Sequence, residues 1–172
     1  MKEKQRAGRI GLTPNEVRIF FEQIQNTMIK VALFLVHFCD LPLCEVANIK
    51  MADVDLNQKL LLIRSKTIWG ERYIRLPYPI IMVIKAWLQQ IESDKWLFLC
   101  NKSHISVSTL SNAVKLASQK SGIQASIKSI RISSDINATY YGFEDVDNKL
   151  SDYYHDSKTI VLFTGSIKFE NT

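Results

Sequence analysis

The N-terminal part of the chain is predicted to be helical, because its apolar residues recur at helical spacing behind clear start signals. Residues 13–16, TPNE, make a capping box with proline at the first helical position, which predicts a helix over about 14–27. The run at 28–39 is apolar on nearly all sides and predicts a central helix packed from several directions. His37 lies inside that run and is expected to be a buried, hydrogen-bonded histidine.

The middle of the chain changes to the short alternating runs that are typical of β-strands. A short helix over about 43–49, whose first turn can hold Pro42, leads to a polar turn at 51–58. The runs at 59–65 and 73–77 predict two or three antiparallel strands, with Gly70 at the bend of a hairpin. The hairpin is basic, although such charges also discourage strand pairing at a sheet edge and need no ligand. The basic residues are Arg64, Lys66, Arg72 and Arg75.

The remaining pattern is again mainly helical. Helices are predicted over about 79–92, 106–122, 127–141 and 146–154, with short buried segments at 95–100 and 159–163. The expected fold is mainly α with a small antiparallel β-sheet, an α+β class. Residues 1–11 are interpreted as a basic linker or a cut edge, residues 12–165 as one domain, and residues 166–172 as a polar tail.

Composition narrows the classes of function. The chain has 172 residues, 47% of them hydrophobic and 23% charged, which is enough for one sizeable core. The net charge of +5 favours a polyanionic partner. The three cysteines, Cys39, Cys44 and Cys100, lack metal-site spacing, which predicts buried reduced thiols, no metal and an intracellular location. The longest apolar run, at 31–39, is too short to span a bilayer, so a soluble cytoplasmic protein is expected.

Short motifs then occur in a fixed order: LT..E at the start, DLPLCEV at 40–46, IKMADVD at 49–55, Lys66–Thr67 with ERYIRLP, and KSIR at 128–131 with Gly142. They resemble the catalytic domain of the tyrosine recombinases, the phage integrase and Xer family, over residues 12–165. That family has LT..E, G-L-R-x-S-E-L, L-x-W-x-D-[IV]-D, a hairpin lysine followed by threonine, and H-x-L-R with a later glycine. The resemblance implies the helical recombinase fold with a basic β-hairpin.

The same resemblance implies a damaged active site. Pro42 stands where the family has its first catalytic arginine, and Lys128 replaces the histidine of H-x-L-R. The family's L-G-H element matches His155, and its nucleophilic tyrosine falls at Phe163. In the family a tyrosine oxygen attacks a DNA phosphodiester, cationic side chains hold the phosphate oxygens, and a lysine protonates the leaving 5′ oxygen. Because phenylalanine cannot attack and proline cannot neutralise an oxyanion, the resemblance implies loss of strand cleavage.

The expected function is therefore that of a recombinase-like DNA-binding protein of a mobile element, without a cofactor. By the resemblance, Lys66, Lys128, Arg131 and His155 would converge on one phosphate pocket, which Arg64 and Arg72 would extend. Binding to double-stranded DNA is expected to be weak and salt-dependent, because the family's core-binding domain has no counterpart in this sequence. When bound to DNA, the protein would be associated with the nucleoid.

Two alternatives stay open from the sequence. Tyr153 or Tyr154 could replace the missing nucleophile, which would make the chain an active site-specific recombinase. The other alternative is a protein-interaction module, in which residues 159–172 dock on a second copy of the chain or on a recombinase partner. Neither alternative involves a membrane.

Overall fold

The computed structural model describes residues 11–65 and 70–136, with side chains described as far as Ser133. The helices in these ranges are α1 Pro14–Glu22, α2 Thr27–Phe38, α3 Leu43–Ala47, α4 Tyr78–Leu88, α5 Val107–Ser121 and α6 Ile127–Ile136. A 3-10 helix covers Met51–Asp53, and the strands are β1 Val54–Asp55, β2 Leu60–Arg64, β3 Glu71–Arg75, β4 Leu99–Cys100 and β5 Ser103–His104. No helix among the described residues is long and apolar enough to cross a membrane.

Helix α1 begins as predicted but ends earlier. The Thr13 hydroxyl accepts the Glu16 N–H at 3.3 Å, and a Glu16 carboxylate oxygen accepts the Thr13 N–H at 2.8 Å, so the capping box is present. The predicted extension to residue 27 is wrong. The Asn26 side chain accepts the Ile29 N–H at 3.0 Å and starts α2 one residue later.

Helix α2 is the central helix that the sequence predicted. It packs against α3, α4, α5 and α6, and every residue from Lys30 to His37 is buried. His37 is fully buried, and its Nδ1 lies 2.8 Å from the carbonyl oxygen of Ile130 in α6. The prediction of a buried, hydrogen-bonded histidine is confirmed, and this bond ties the central helix to α6.

Strands β1, β2 and β3 form one antiparallel sheet in that order, as predicted, with Leu62 opposite Tyr73. Leu61 and Ile63 face the core from the middle strand. Helix α3 is two residues shorter than expected. The segment at 51–58 is not simply a polar turn, since it contains the 3-10 helix and β1, and Asp53 is 4% exposed. Residues 66–69 of the hairpin lie outside the described residues.

A second hairpin, β4–β5, was not predicted. Its two turn residues, Asn101 and Lys102, have φ of 49° and 66°, the left-handed backbone of the tight two-residue turns that usually contain glycine. The segment 95–100 was predicted to be a short buried segment, and only its middle is fully buried. Leu97 and Phe98 are fully buried, whereas Leu99 is 39% exposed and Cys100, its neighbour in β4, is half-buried.

Helices α5 and α6 follow their predicted starts. Ser106 caps α5 by accepting the Thr109 N–H at 3.0 Å, and Gly122, with φ 71°, ends it. In α6 the buried Ser133 hydroxyl accepts the Leu12 N–H at 2.7 Å, which fastens the residues before α1 to this helix. The predicted continuation of α6 to 141, the helix at 146–154 and the segment at 159–163 lie outside the described residues.

The cysteines are free, but the prediction that all are buried is wrong. Cys44 is exposed on α3, whereas Cys39 and Cys100 are half-buried. Burial of the Cys39 sulfur raises the pKa of its thiol to about 12, so it is an inert thiol at neutral pH.

Candidate functional site

Arg131 lies on α6 and reaches across to the end of α2. Its Nε donates to Asp40 Oδ1 at 2.8 Å, and an Nη2 proton goes to the backbone carbonyl of Asp40 at 3.0 Å. Asp40 has φ 51°, a left-handed backbone that aspartate tolerates better than most residues. The integrase motif has glycine at this position, so here an acidic side chain occupies the turn beside the arginine.

Arg72 on β3 makes a two-pronged ion pair with Glu45 on α3. Nη1 and Nη2 donate to the two carboxylate oxygens at 3.0 and 2.7 Å, and the Glu45 side chain is only 3% exposed. The pKa of Glu45 is lowered, chiefly by this hydrogen bond and against the effect of burial; Ser65 and the charge of Arg131 lower it further. Asp40, Glu45, Arg72 and Arg131 therefore form one group, called here the paired-arginine cluster.

Arg64 belongs to a neighbouring structural contact. Its Nε donates to Asp53 Oδ1 at 2.7 Å, while Asp53 Oδ2 accepts the Lys50 N–H at 3.0 Å. The exposed Glu71 makes a second ion pair with Arg64, in which Arg64 Nη1 lies 3.3 Å from Glu71 Oε1. The buried Asp53 thus joins the 3-10 helix to β2, and Arg64 supplies the charge that balances it.

Pro42 was predicted to lie in the first turn of α3, but it is the N-cap residue, just before that turn. Its carbonyl accepts the N–H groups of Glu45 and Val46 at 3.0 and 3.2 Å. Pro42 is half-buried and lies between Asp40 and Glu45 in the sequence. It comes directly before the helix that carries Glu45. Proline therefore has a local structural role here, and it brings no hydrogen-bond donor to the cluster.

The structure locates only part of the predicted pocket. Lys128 is exposed on α6, one turn before Arg131. Lys66, His155 and Phe163 lie outside the described residues, as do Tyr153 and Tyr154. Convergence of Lys66, Lys128, Arg131 and His155 on one phosphate therefore stays a prediction.

Sequence reasoning missed the acidic partners of the site. In the described parts of the chain, each of the three arginines expected to bind DNA is paired with a carboxylate: Arg131 with Asp40, Arg72 with Glu45, and Arg64 with Asp53. The aspartate in place of the motif's glycine was the available signal. A phosphate that approaches these arginines has to compete with carboxylates that are already bound.

The fold and the motifs agree with comparisons to known proteins. The XerA recombinase crystal structure superposes with a TM-score of 0.65 at 17% identity, covering 92% of this chain and 57% of that one. A lambda integrase (75–356) dimer bound to a COC′ core site gives 0.62 at 12% identity, covering 98% and 63%. At these identities the likeness establishes the fold alone: the mainly helical catalytic domain of tyrosine recombinases with its small antiparallel sheet.

Sequence comparison identifies the family. The Phage integrase family model matches residues 11–136, and the tyrosine recombinase XerA of Pyrococcus furiosus is 27% identical over 128 residues. That alignment covers 70% of this chain and 45% of XerA, so the chain spans about half the length of this curated relative. The chain belongs to the phage integrase family, as the sequence motifs predicted.

Proposed function

We propose that the chain is a DNA-binding member of this family, carried by a mobile element, that binds the duplex without cutting it. The observation that supports the proposal is Pro42 at the start of α3, next to the paired-arginine cluster. The position that the family gives to a catalytic arginine here holds a residue with no charge and no donor. Phe163, at the position matched to the nucleophile, adds the same conclusion from the sequence.

Arg131 is the residue proposed to contact a backbone phosphate. Its side chain is 33% exposed, and two of the five guanidinium N–H donors go to Asp40, which leaves the others for phosphate oxygens. Lys128 presents a second cation one turn earlier on the same helix. The structural relatives are compatible with this use, since lambda integrase was solved on a core site and XerH on its difH substrate.

Reversible binding without cleavage can be tested directly. Fluorescence anisotropy with a labelled duplex is expected to show binding at low salt that weakens as salt rises, and Arg131→Ala is expected to weaken it. A nicked suicide duplex should leave no covalent protein–DNA adduct. A covalent adduct would contradict the proposed lack of cleavage. If the adduct disappears in Tyr153→Phe/Tyr154→Phe, one of these tyrosines is a displaced nucleophile. Absence of binding at low salt by the folded protein would contradict the DNA-binding proposal itself.

Removing the charge of Asp40 is expected to raise DNA affinity about two- to fivefold. The Asp40 side chain is 55% exposed, so its ion pair with Arg131 contributes at most about 1 kcal/mol. Asp40→Asn keeps a residue suited to the left-handed turn and removes the carboxylate that competes with phosphate. Asp55→Asn, an exposed aspartate on β1, is the matched control and should change affinity less than twofold. Equal affinities for wild type and Asp40→Asn would show that Asp40 does not compete.

A further inference from the structure

A second basic surface surrounds Trp96, apart from the paired-arginine cluster. The Nζ atoms of Lys50 and Lys95 lie 5.8 and 5.2 Å from the centroid of the Trp96 ring, and the His104 ring meets it edge-on at 5.1 Å. These four residues are called the Trp96 cluster. The main chain fixes their relative positions, because Met51 N–H donates to the Lys95 carbonyl at 3.0 Å and Leu97 N–H to the Ile49 carbonyl at 3.0 Å.

The charge of the Trp96 cluster is not balanced in the way that the arginines are. Within residues 11–65 and 70–136, no carboxylate forms an ion pair with Lys50 or Lys95, whereas Arg64, Arg72 and Arg131 each have one. The attraction of a polyanion depends on cations whose field is not cancelled nearby. In the described residues, the ammonium groups of Lys50 and Lys95 are free of the paired carboxylates that the arginines of the predicted site carry.

The indole ring also orders these lysines. A cation–π contact restrains each ammonium near the ring, so less side-chain freedom is lost when an anion binds. Since two ammonium groups and an imidazole already surround the ring, the cluster suits a phosphate better than a stacked base. A duplex carries one phosphate per about 1.7 Å of axis, so both lysines can reach one short stretch of backbone.

We propose that the Trp96 cluster is a second phosphate-contacting surface, which supplies much of the salt-dependent part of DNA binding. The proposal rests on the proposed function in taking DNA as the polyanion. The cluster is connected to the basic hairpin, because the Lys50 N–H and the Arg64 guanidinium share the carboxylate of Asp53. The Trp96 cluster and the basic hairpin can therefore contact one duplex. The cluster would hold the DNA backbone outside the candidate site at Arg131.

The test compares variants of the full chain by anisotropy with a labelled duplex over a series of salt concentrations. Lys50→Gln/Lys95→Gln is expected to reduce the slope of log affinity against log salt by about 1.8, and to weaken binding about tenfold at low salt. Trp96→Phe keeps both charges but weakens the cation–π contacts, so it should lower affinity a few-fold at nearly unchanged slope. Lys115→Gln/Lys120→Gln, two exposed lysines on α5, removes the same charge elsewhere and should leave the slope near that of wild type.

Several results would overturn the proposal. If Lys50→Gln/Lys95→Gln melts like wild type and has the wild-type slope of log affinity against log salt, the Trp96 cluster does not contact DNA. DNA binding itself would still stand. An equal decrease of the slope in the α5 control, Lys115→Gln/Lys120→Gln, would show that the effect comes from net charge and not from the Trp96 cluster. Equal competition by polyglutamate and by unlabelled duplex for the wild-type protein would reassign the surface to acidic proteins. Wild-type protein that binds no DNA at low salt would overturn the proposed function, and this inference with it.

Discussion

Replacing Arg72 by alanine is expected to destabilise the protein by about 3 kcal/mol. The substitution leaves the Glu45 carboxylate, which is 3% exposed, without the guanidinium that donates to both of its oxygens. Removing one partner of a buried pair costs about 3–5 kcal/mol, because the other charge stays buried and uncompensated. The lower end is expected here, since Ser65 and the charge of Arg131 still favour the carboxylate. Urea unfolding at neutral pH measures the loss.

Arg75→Ala is the matched control, because Arg75 is an exposed arginine on the same strand. Its removal should change the free energy of unfolding by less than about 0.5 kcal/mol. The double variant Arg72→Ala/Glu45→Ala should be less destabilised than the sum of the single variants, since no buried charge is left. If Arg72→Ala is as mild as Arg75→Ala, the Glu45–Arg72 pair does not hold α3 to the sheet.

The same pair has a predictable pH dependence. The pKa of Glu45 is lowered in the folded protein, so its contribution to stability is present above the unfolded pKa and is lost as pH falls through the lowered folded value. Arg72→Ala removes the main cause of that lowering. The acid loss of stability assigned to Glu45 should therefore be smaller in the variant than in wild type.

What the sequence predicted well was local. The Thr13–Glu16 capping box, the glycine at the end of α5 and the apolar run of α2 are signals contained in a few neighbouring residues, and each appears in the structure. The end of α1 was misplaced because the cap at Asn26 was not recognised as the start of a new helix. The β4–β5 hairpin was missed because its turn has no glycine to mark it.

What the sequence could not predict was long-range pairing. Asp40 and Arg131 are 91 positions apart, and no periodicity or spacing relates them. The family motifs singled out Arg131 as a phosphate-contacting residue, which stays a prediction, and they gave no sign of the Asp40 carboxylate that it binds in the structure. Similarly, the apolar surroundings of His37 predicted its burial, whereas its partner carbonyl, at Ile130, comes only from the packing of α6 on α2.

Acidification from about pH 6.5 to pH 4 is expected to cost about 3 kcal/mol of stability through His37 alone. Burial lowers the pKa of His37 to about 4, and the bond to the Ile130 carbonyl opposes this only in part. Above about pH 6.5 the imidazole is neutral in both states, and below it the unfolded chain takes up a proton that the folded protein does not bind. The loss therefore grows as pH falls and levels off near pH 4.

Thermal melting as a function of pH measures this loss, with His104→Gln as the control, since His104 is a half-buried histidine on β5. His37→Phe should be less stable than wild type at pH 7, because the Ile130 carbonyl loses its donor. Its stability should nevertheless fall less between pH 6.5 and 4.5, a window above the lowered pKa of Glu45. An unchanged slope in His37→Phe would assign the acid sensitivity to other groups.

The acid destabilisation through His37 should extend to DNA binding. Helix α2 ends just before Asp40 and α6 carries Lys128 and Arg131, so the His37–Ile130 bond holds together the two elements that face each other at the candidate site. An imidazolium keeps the Nδ1 proton but adds a buried charge between α2 and α6, which favours states in which the helices separate. At constant ionic strength, DNA affinity should therefore fall as the pH is lowered and the melting temperature decreases. This fall should be smaller in His37→Phe than in wild type.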